Sequence, residues 1–112
     1  ESKIKPEKPV SSMTLEVLDD DDRVMNLAQL FRTLGDPSRI KILSLLLDGG
    51  KNVVSLAEAI GVSEPAISHH LRGLRQMRIV RGRRQGREVI YTLDDEHVTA
   101  LLKMGWEHIQ HV

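Results

Sequence analysis

The chain has no cysteine among its 112 residues, which excludes disulfides, thiolate metal sites, nucleophilic thiols and thiol-based redox sensing. Aromatic residues are almost missing too: Phe31, Tyr91 and Trp106 are the only ones. A core must therefore be built from Leu, Ile, Val and Ala. No apolar run reaches the ~20 residues of a membrane span; even Ile42–Leu47 is interrupted by Ser44. Glu1–Pro9 alternates charge and proline with no apolar signal core, so a cytoplasmic location and no membrane partner are expected. A chain of this length makes one domain with a real core and is too short for two.

Charge of one sign is missing locally rather than globally. The net charge is zero, yet residues 65–87 hold seven arginines (Arg72, Arg75, Arg78, Arg81, Arg83, Arg84, Arg87) and no acid. Residues 1–22 carry seven acids against three lysines, and residues 94–112 carry four acids against Lys103. A concentrated basic block inside a neutral chain suits an anionic partner.

Helical signals run through most of the chain. Residues 1–18, punctuated by Pro6 and Pro9, read as a flexible N-terminal arm with a short helix near Met13–Leu18. Residues 19–112 read as the folded domain. Asp19–Asp22 offers N-caps, Val24, Leu27, Phe31 and Leu34 recur at helical spacing, and Gly35 stops the pattern. Asp36 caps a second helix with Pro37 in its first turn and Ile40, Leu43 and Leu47 facing inward. Ser55 opens a third helix that ends at Gly61. Ser63 caps a fourth, whose inner face is Ile67, Leu71 and Leu74. The period then changes: Ile79-Val80 and Glu88–Leu93 read as strands around an Arg84–Arg87 turn. Asp94-Asp95 caps a last helix. The expected fold is mostly α with a small β-hairpin: a winged helix-turn-helix with an extra helix at each end.

Two functional surfaces follow. A helix-turn-helix sets its second helix in the major groove, N-terminal residues nearest the bases, here Glu64, Ser68 and His69, although Glu64 repels phosphate and Pro65 donates nothing. Arg72 and Arg75, with Arg83, Arg84 and Arg87 of the hairpin, suit phosphates. His69 and His70 are both assigned to DNA contact or surface rather than to metal. In the last helix, His97, His108 and His111 share one narrow stripe with Leu101 and Met104. His97 and His108 lie about 16 Å apart along the axis, too far for one ion. Antiparallel pairing of two copies would bring Asp95 and His97 of one chain to His108 and His111 of the other. That gives two sites per homodimer, with N and O donors suited to Zn²⁺ or Co²⁺. Asp95 and His97 converge only if the helix begins at that point. A closed four-ligand site leaves no position for water, and no His-Glu-x-x-His sequence is present, so no catalysis and no small-molecule substrate are expected.

Leu34-Gly35-Asp36-Pro37-Ser38-Arg39, Val62-Ser63, Ile67-Ser68-His69-His70-Leu71, Arg84–Arg87 and Tyr91 resemble the ArsR/SmtB family of metal-sensing repressors over residues 23–112. Asp95-x-His97 with His108-x-x-His111 is similar to the C-terminal-helix site of that family's zinc and cobalt sensors. The resemblance implies a homodimer joined by its first and last helices. It would bind an inverted repeat in the operator of a metal efflux or sequestration gene and release it when metal binds. It also implies a link from His108 to the backbone carbonyl of Arg78, and base contacts at Ser68 and His69, where Glu64 and Pro65 depart from the usual polar residues. The alternative is a metal-independent winged-helix repressor with a structural zinc site.

Overall fold

The structure is a computed structural model and describes residues 11–112. These form two compact units, divided between Phe31 and Arg32. The N-terminal unit holds α1 (Ser12–Asp19) and most of α2 (Asp21–Leu34). Ser11 caps α1 by accepting from the Thr14 N–H at 3.1 Å, and Asp20 opens α2 by accepting from Arg23 N–H at 3.0 Å. An exposed Arg23–Glu16 pair at 3.1 Å ties the two helices. Within this unit Met13, Leu18, Met25 and Phe31 are exposed. Residues 1–10 of the expected arm lie outside the described residues.

The second unit contains α3 (Pro37–Leu46), α4 (Val53–Ile60), α5 (Glu64–Gln76), β1 (Val80–Gln85), β2 (Glu88–Leu93) and α6 (Glu96–Gln110). Helix α3 packs on α4, α5 and β2, while α5 also meets β1. Ile42, Leu43, Leu56, Ile67, Leu71, Leu74, Ile79 and Val80 are fully buried and form its core. No Phe, Tyr or Trp is among these buried residues. The Ile67-Leu71-Leu74 face expected for α5 is present.

Three local expectations need correction. Helix α3 turns Ile42, Leu43 and Leu46 inward, whereas Ile40 and Leu47 remain 38% exposed. Packing against elements on two sides selects a different stripe from the one read at i, i+3 and i+7. Helix α4 starts at Val53, two residues earlier than Ser55, because Asn52 is the N-cap and its Oδ1 accepts the Ser55 N–H at 2.8 Å. The hairpin turn is Gly86-Arg87 alone, since Arg84 and Gln85 pair with Val89 and Glu88 in the antiparallel ladder. Gly86 has φ +62° while Arg87 has not crossed to positive φ, which matches a two-residue turn with glycine first.

The wing is anchored along β2. Lys51 and Tyr91 exchange two backbone hydrogen bonds, at 3.1 and 2.8 Å, adding one residue of a third strand. The Asn52 amide also donates to the Glu88 carboxylate, so the cap of α4 holds the start of β2.

Candidate nucleic-acid and metal-binding surfaces

Helix α5 follows α4 across the short turn Gly61–Ser63, the helix-turn-helix arrangement. Ser63 caps it through a 3.2 Å bond from Ala66 N–H, and burial of Ile67, Leu71 and Leu74 fixes its rotation. That rotation leaves Glu64, Pro65, Ser68, His69, Arg72 and Arg75 exposed. Arg83, Arg84 and Arg87 of the wing are exposed as well. Among the described residues, no carboxylate pairs with Arg72, Arg75, Arg83, Arg84 or Arg87. Arg81 meets Asp94 at 3.8 Å, a solvent-screened pair of little energetic weight. Strand alternation sends Arg83 and Arg84 to opposite faces of the hairpin.

Helix α5 ends in a Schellman motif. Ile79 N–H donates to the Leu74 carbonyl and Arg78 N–H to that of Arg75, both at 2.9 Å, with Leu74 and Ile79 buried together. Arg78 takes the left-handed position usually given to glycine, at φ +57°, a conformation that costs an L-residue roughly 1 kcal/mol. Among the described residues, no hydrogen bond joins Arg78 to His108.

At the other functional surface, Asp95 is the N-cap of α6, so Asp95 and His97 stand at the helix start. The Asp95 carboxylate accepts the His97 N–H at 2.7 Å and lies 3.1 Å from His97 Nδ1. The backbone N–H of His97, followed by the His97 ring, holds the Asp95 carboxyl below the usual carboxylate range. Two donors on one tetrahedral zinc stand about 3.3 Å apart, so this pair needs little rearrangement to share an ion. His108 and His111 occupy the last turn, exposed, with His111 N–H donating to the His108 carbonyl at 3.1 Å. Among the described residues of one chain, no three His, Asp or Glu side chains form a group able to hold a metal. The candidate donors are two pairs at opposite ends of one helix. Between them Leu101 is half-buried, while Met104, Trp106 and Ile109 are about two-thirds exposed.

Sequence comparison matches residues 36–81 to bacterial regulatory proteins of the arsR family. A transcriptional repressor SmtB homolog from Synechocystis is 44% identical over 80% of this chain and 67% of its own length. A cadmium resistance regulatory protein CadC homolog from Staphylococcus aureus is 39% identical over 79% of this chain and 74% of its own. The chain belongs to the ArsR family. Its fold agrees: the homodimeric winged helix-turn-helix DNA-binding domain Mb0332 from Mycobacterium bovis superposes with a TM-score of 0.71. That match has 25% identity and covers 92% of this chain and 90% of that one. As an ArsR-family member the chain is a transcriptional regulator rather than an enzyme. No helix among the described residues is long and apolar enough to cross a membrane.

One constellation in this ArsR-family chain escapes the sequence reading. His70 is half-buried rather than a surface contact, and its Nδ1 accepts from Arg39 Nε at 3.1 Å. Arg39 Nη1 also reaches the Thr33 carbonyl at 3.5 Å. The guanidinium lies over Gly73, where a Cβ would sit 2.8 Å from Nη2. Arg39 therefore links the end of α2 and the start of α3 to the middle of α5. Asp36 caps α3 by accepting Arg39 N–H at 3.1 Å, and that bond, with His70 nearby, keeps its carboxyl below the usual range. The available signal was a charged residue in the first turn of α3, three positions after its Asp36 cap.

Proposed function

We propose that this chain is a zinc-responsive repressor, with Co²⁺ as the alternative effector. The metal-free homodimer holds an operator inverted repeat through α5 and the wing. Metal held between the two α6 helices then releases the DNA and derepresses a metal efflux or sequestration gene. The observation that carries this reading is the convergence of Asp95 and His97 at the α6 N-terminus, in a helix-turn-helix chain whose His108 and His111 stand exposed at the far end. A second copy supplies what one chain lacks. The exposed Met104, Trp106 and Ile109 are the kind of side chains that pairing would cover, and the related Mb0332 domain is homodimeric.

Zn²⁺ supplies a tetrahedral preference for N and O donors, and its binding favours whichever dimer arrangement brings the four donors together. Asp95, already drawn to His97, would provide the carboxylate; His97, with His108 and His111 of the second copy, would provide imidazoles. In the family-based reading, His108 donates its remaining ring N–H to the Arg78 carbonyl in that arrangement. Arg78 stands one residue beyond the C-cap of the recognition helix and bonds back to Arg75, so a shift there is passed to α5. Glu64, Pro65, Ser68 and His69 meet the bases; Arg72, Arg75, Arg83, Arg84 and Arg87 meet phosphates. Coupling of about 1–3 kcal/mol corresponds to release by roughly 5–150-fold, and DNA weakens metal binding by the same factor.

The test is fluorescence anisotropy of labelled operator DNA with and without Zn²⁺. His108→Ala is expected to retain DNA binding in the metal-free state and to lose zinc-driven release. Release undiminished in this variant contradicts the assignment. A dimer that falls apart without zinc while DNA affinity ignores it indicates the metal-independent repressor instead.

A further inference from the structure

We infer that Glu64 is a specificity-determining residue that selects a cytosine in each half-site; this rests on the DNA-binding reading above. Glu64 is the first residue of α5, exposed, and among the described residues neither a hydrogen bond nor an ion pair engages its carboxylate. The first turn around it is short of donors. Pro65 has no N–H, Ala66 N–H is bonded to Ser63 Oγ, and Ile67 N–H is bonded to the Ser63 carbonyl at 3.1 Å. Apart from the Glu64 backbone N–H, the tip of the recognition helix thus presents the Glu64 carboxylate as its free hydrogen-bonding group among the described residues.

Base edges differ in what they return to an acceptor. In the major groove guanine shows two acceptors and thymine shows one beside a methyl group, so both repel or ignore a carboxylate. Adenine sets its N7 acceptor next to its amino donor. Cytosine alone offers the N4 amino group without an acceptor on the same base edge, and Glu is its matching side chain. Phosphates also repel Glu64, so the residue weakens every other placement while supporting this one. Arg72 and Arg75, further along α5 and unpaired, supply the compensating backbone attraction. Complementing the helix dipole would equally suit an acid at this position, but it predicts no base preference.

The experiment is selection from a randomised double-stranded DNA library by the metal-free full chain, compared with Glu64→Gln and Glu64→Ala. Wild type is expected to enrich a C·G pair at one symmetric position per half-site, and its replacement to cost about 5–150-fold in affinity. Both variants should lose that preference while keeping the rest of the consensus. Identical consensus sequences for all three chains overturn the inference and leave Glu64 a dipole partner. Failure of every chain to enrich any sequence overturns the sequence-specific DNA-binding reading itself. A second measurement needs no variant: on the selected site, N4-methylcytosine at that position should weaken wild-type binding about tenfold. Unchanged affinity contradicts a contact to the amino group.

Discussion

At the scale of single residues, the clearest consequence belongs to Asp36. Its carboxylate caps α3 and its pKa is lowered by the Arg39 N–H bond. A lowered folded-state pKa means that the carboxylate's stabilisation is present above the ordinary aspartate value, about pH 4, and is lost as pH falls through the lowered value. Asp36→Ala should cost about 1 kcal/mol at neutral pH by urea unfolding. Asp36→Asn should keep most of the cap and abolish this residue's share of the acid sensitivity. Equal pH dependence in wild type and Asp36→Asn contradicts the assignment. The cap itself was legible in Asp36-Pro37, because a side-chain oxygen before a first-turn proline has one strong local use. The role of His70 was not legible: what turns it inward is Arg39, 31 positions earlier, and local spacing does not report such a contact.

At the scale of elements, Arg39 adds a polar tie to the apolar packing of α3 on the recognition helix, through Nε to His70 and the space left by Gly73, while Nη1 reaches back to Thr33. Arg39→Lys keeps the charge and loses the fork, so it should destabilise the fold by about 1–2 kcal/mol in thermal melts. An unchanged midpoint means that the fork contributes nothing. The wing gives a second expectation. Arg83 and Arg84 alternate across the strand, so they should not contribute equally to phosphate binding. One of Arg83→Ala and Arg84→Ala should lower the slope of log affinity against log salt by about one, and the other by much less. Equal losses contradict the alternation. The two helices of the pair, the hairpin and the last helix were all readable from capping and from the change of period. The inner face of α3 and the start of α4 were not. Both depend on neighbours: α3 is packed from more than one side, and Asn52 serves a cap and a wing contact at once.

At the scale of the whole molecule, the proposed function needs a second copy of the chain. The proposed metal donors form two pairs at the ends of α6, and the unpaired guanidinium groups lie on α5 and the wing. The split was legible in the eleven-residue gap between His97 and His108, which no single ion spans. Sharing of each metal ion by two chains is tested most directly by mixing two defective chains. A His97→Ala chain paired with a His108→Ala chain makes a dimer with one intact site and one doubly broken site. Each variant alone should lack the intense visible bands of tetrahedral Co²⁺. An equimolar mixture, after subunit exchange, should recover them at about a quarter of the wild-type amplitude. No recovery in a mixture shown to contain heterodimers, or full bands in either variant alone, would contradict the shared site.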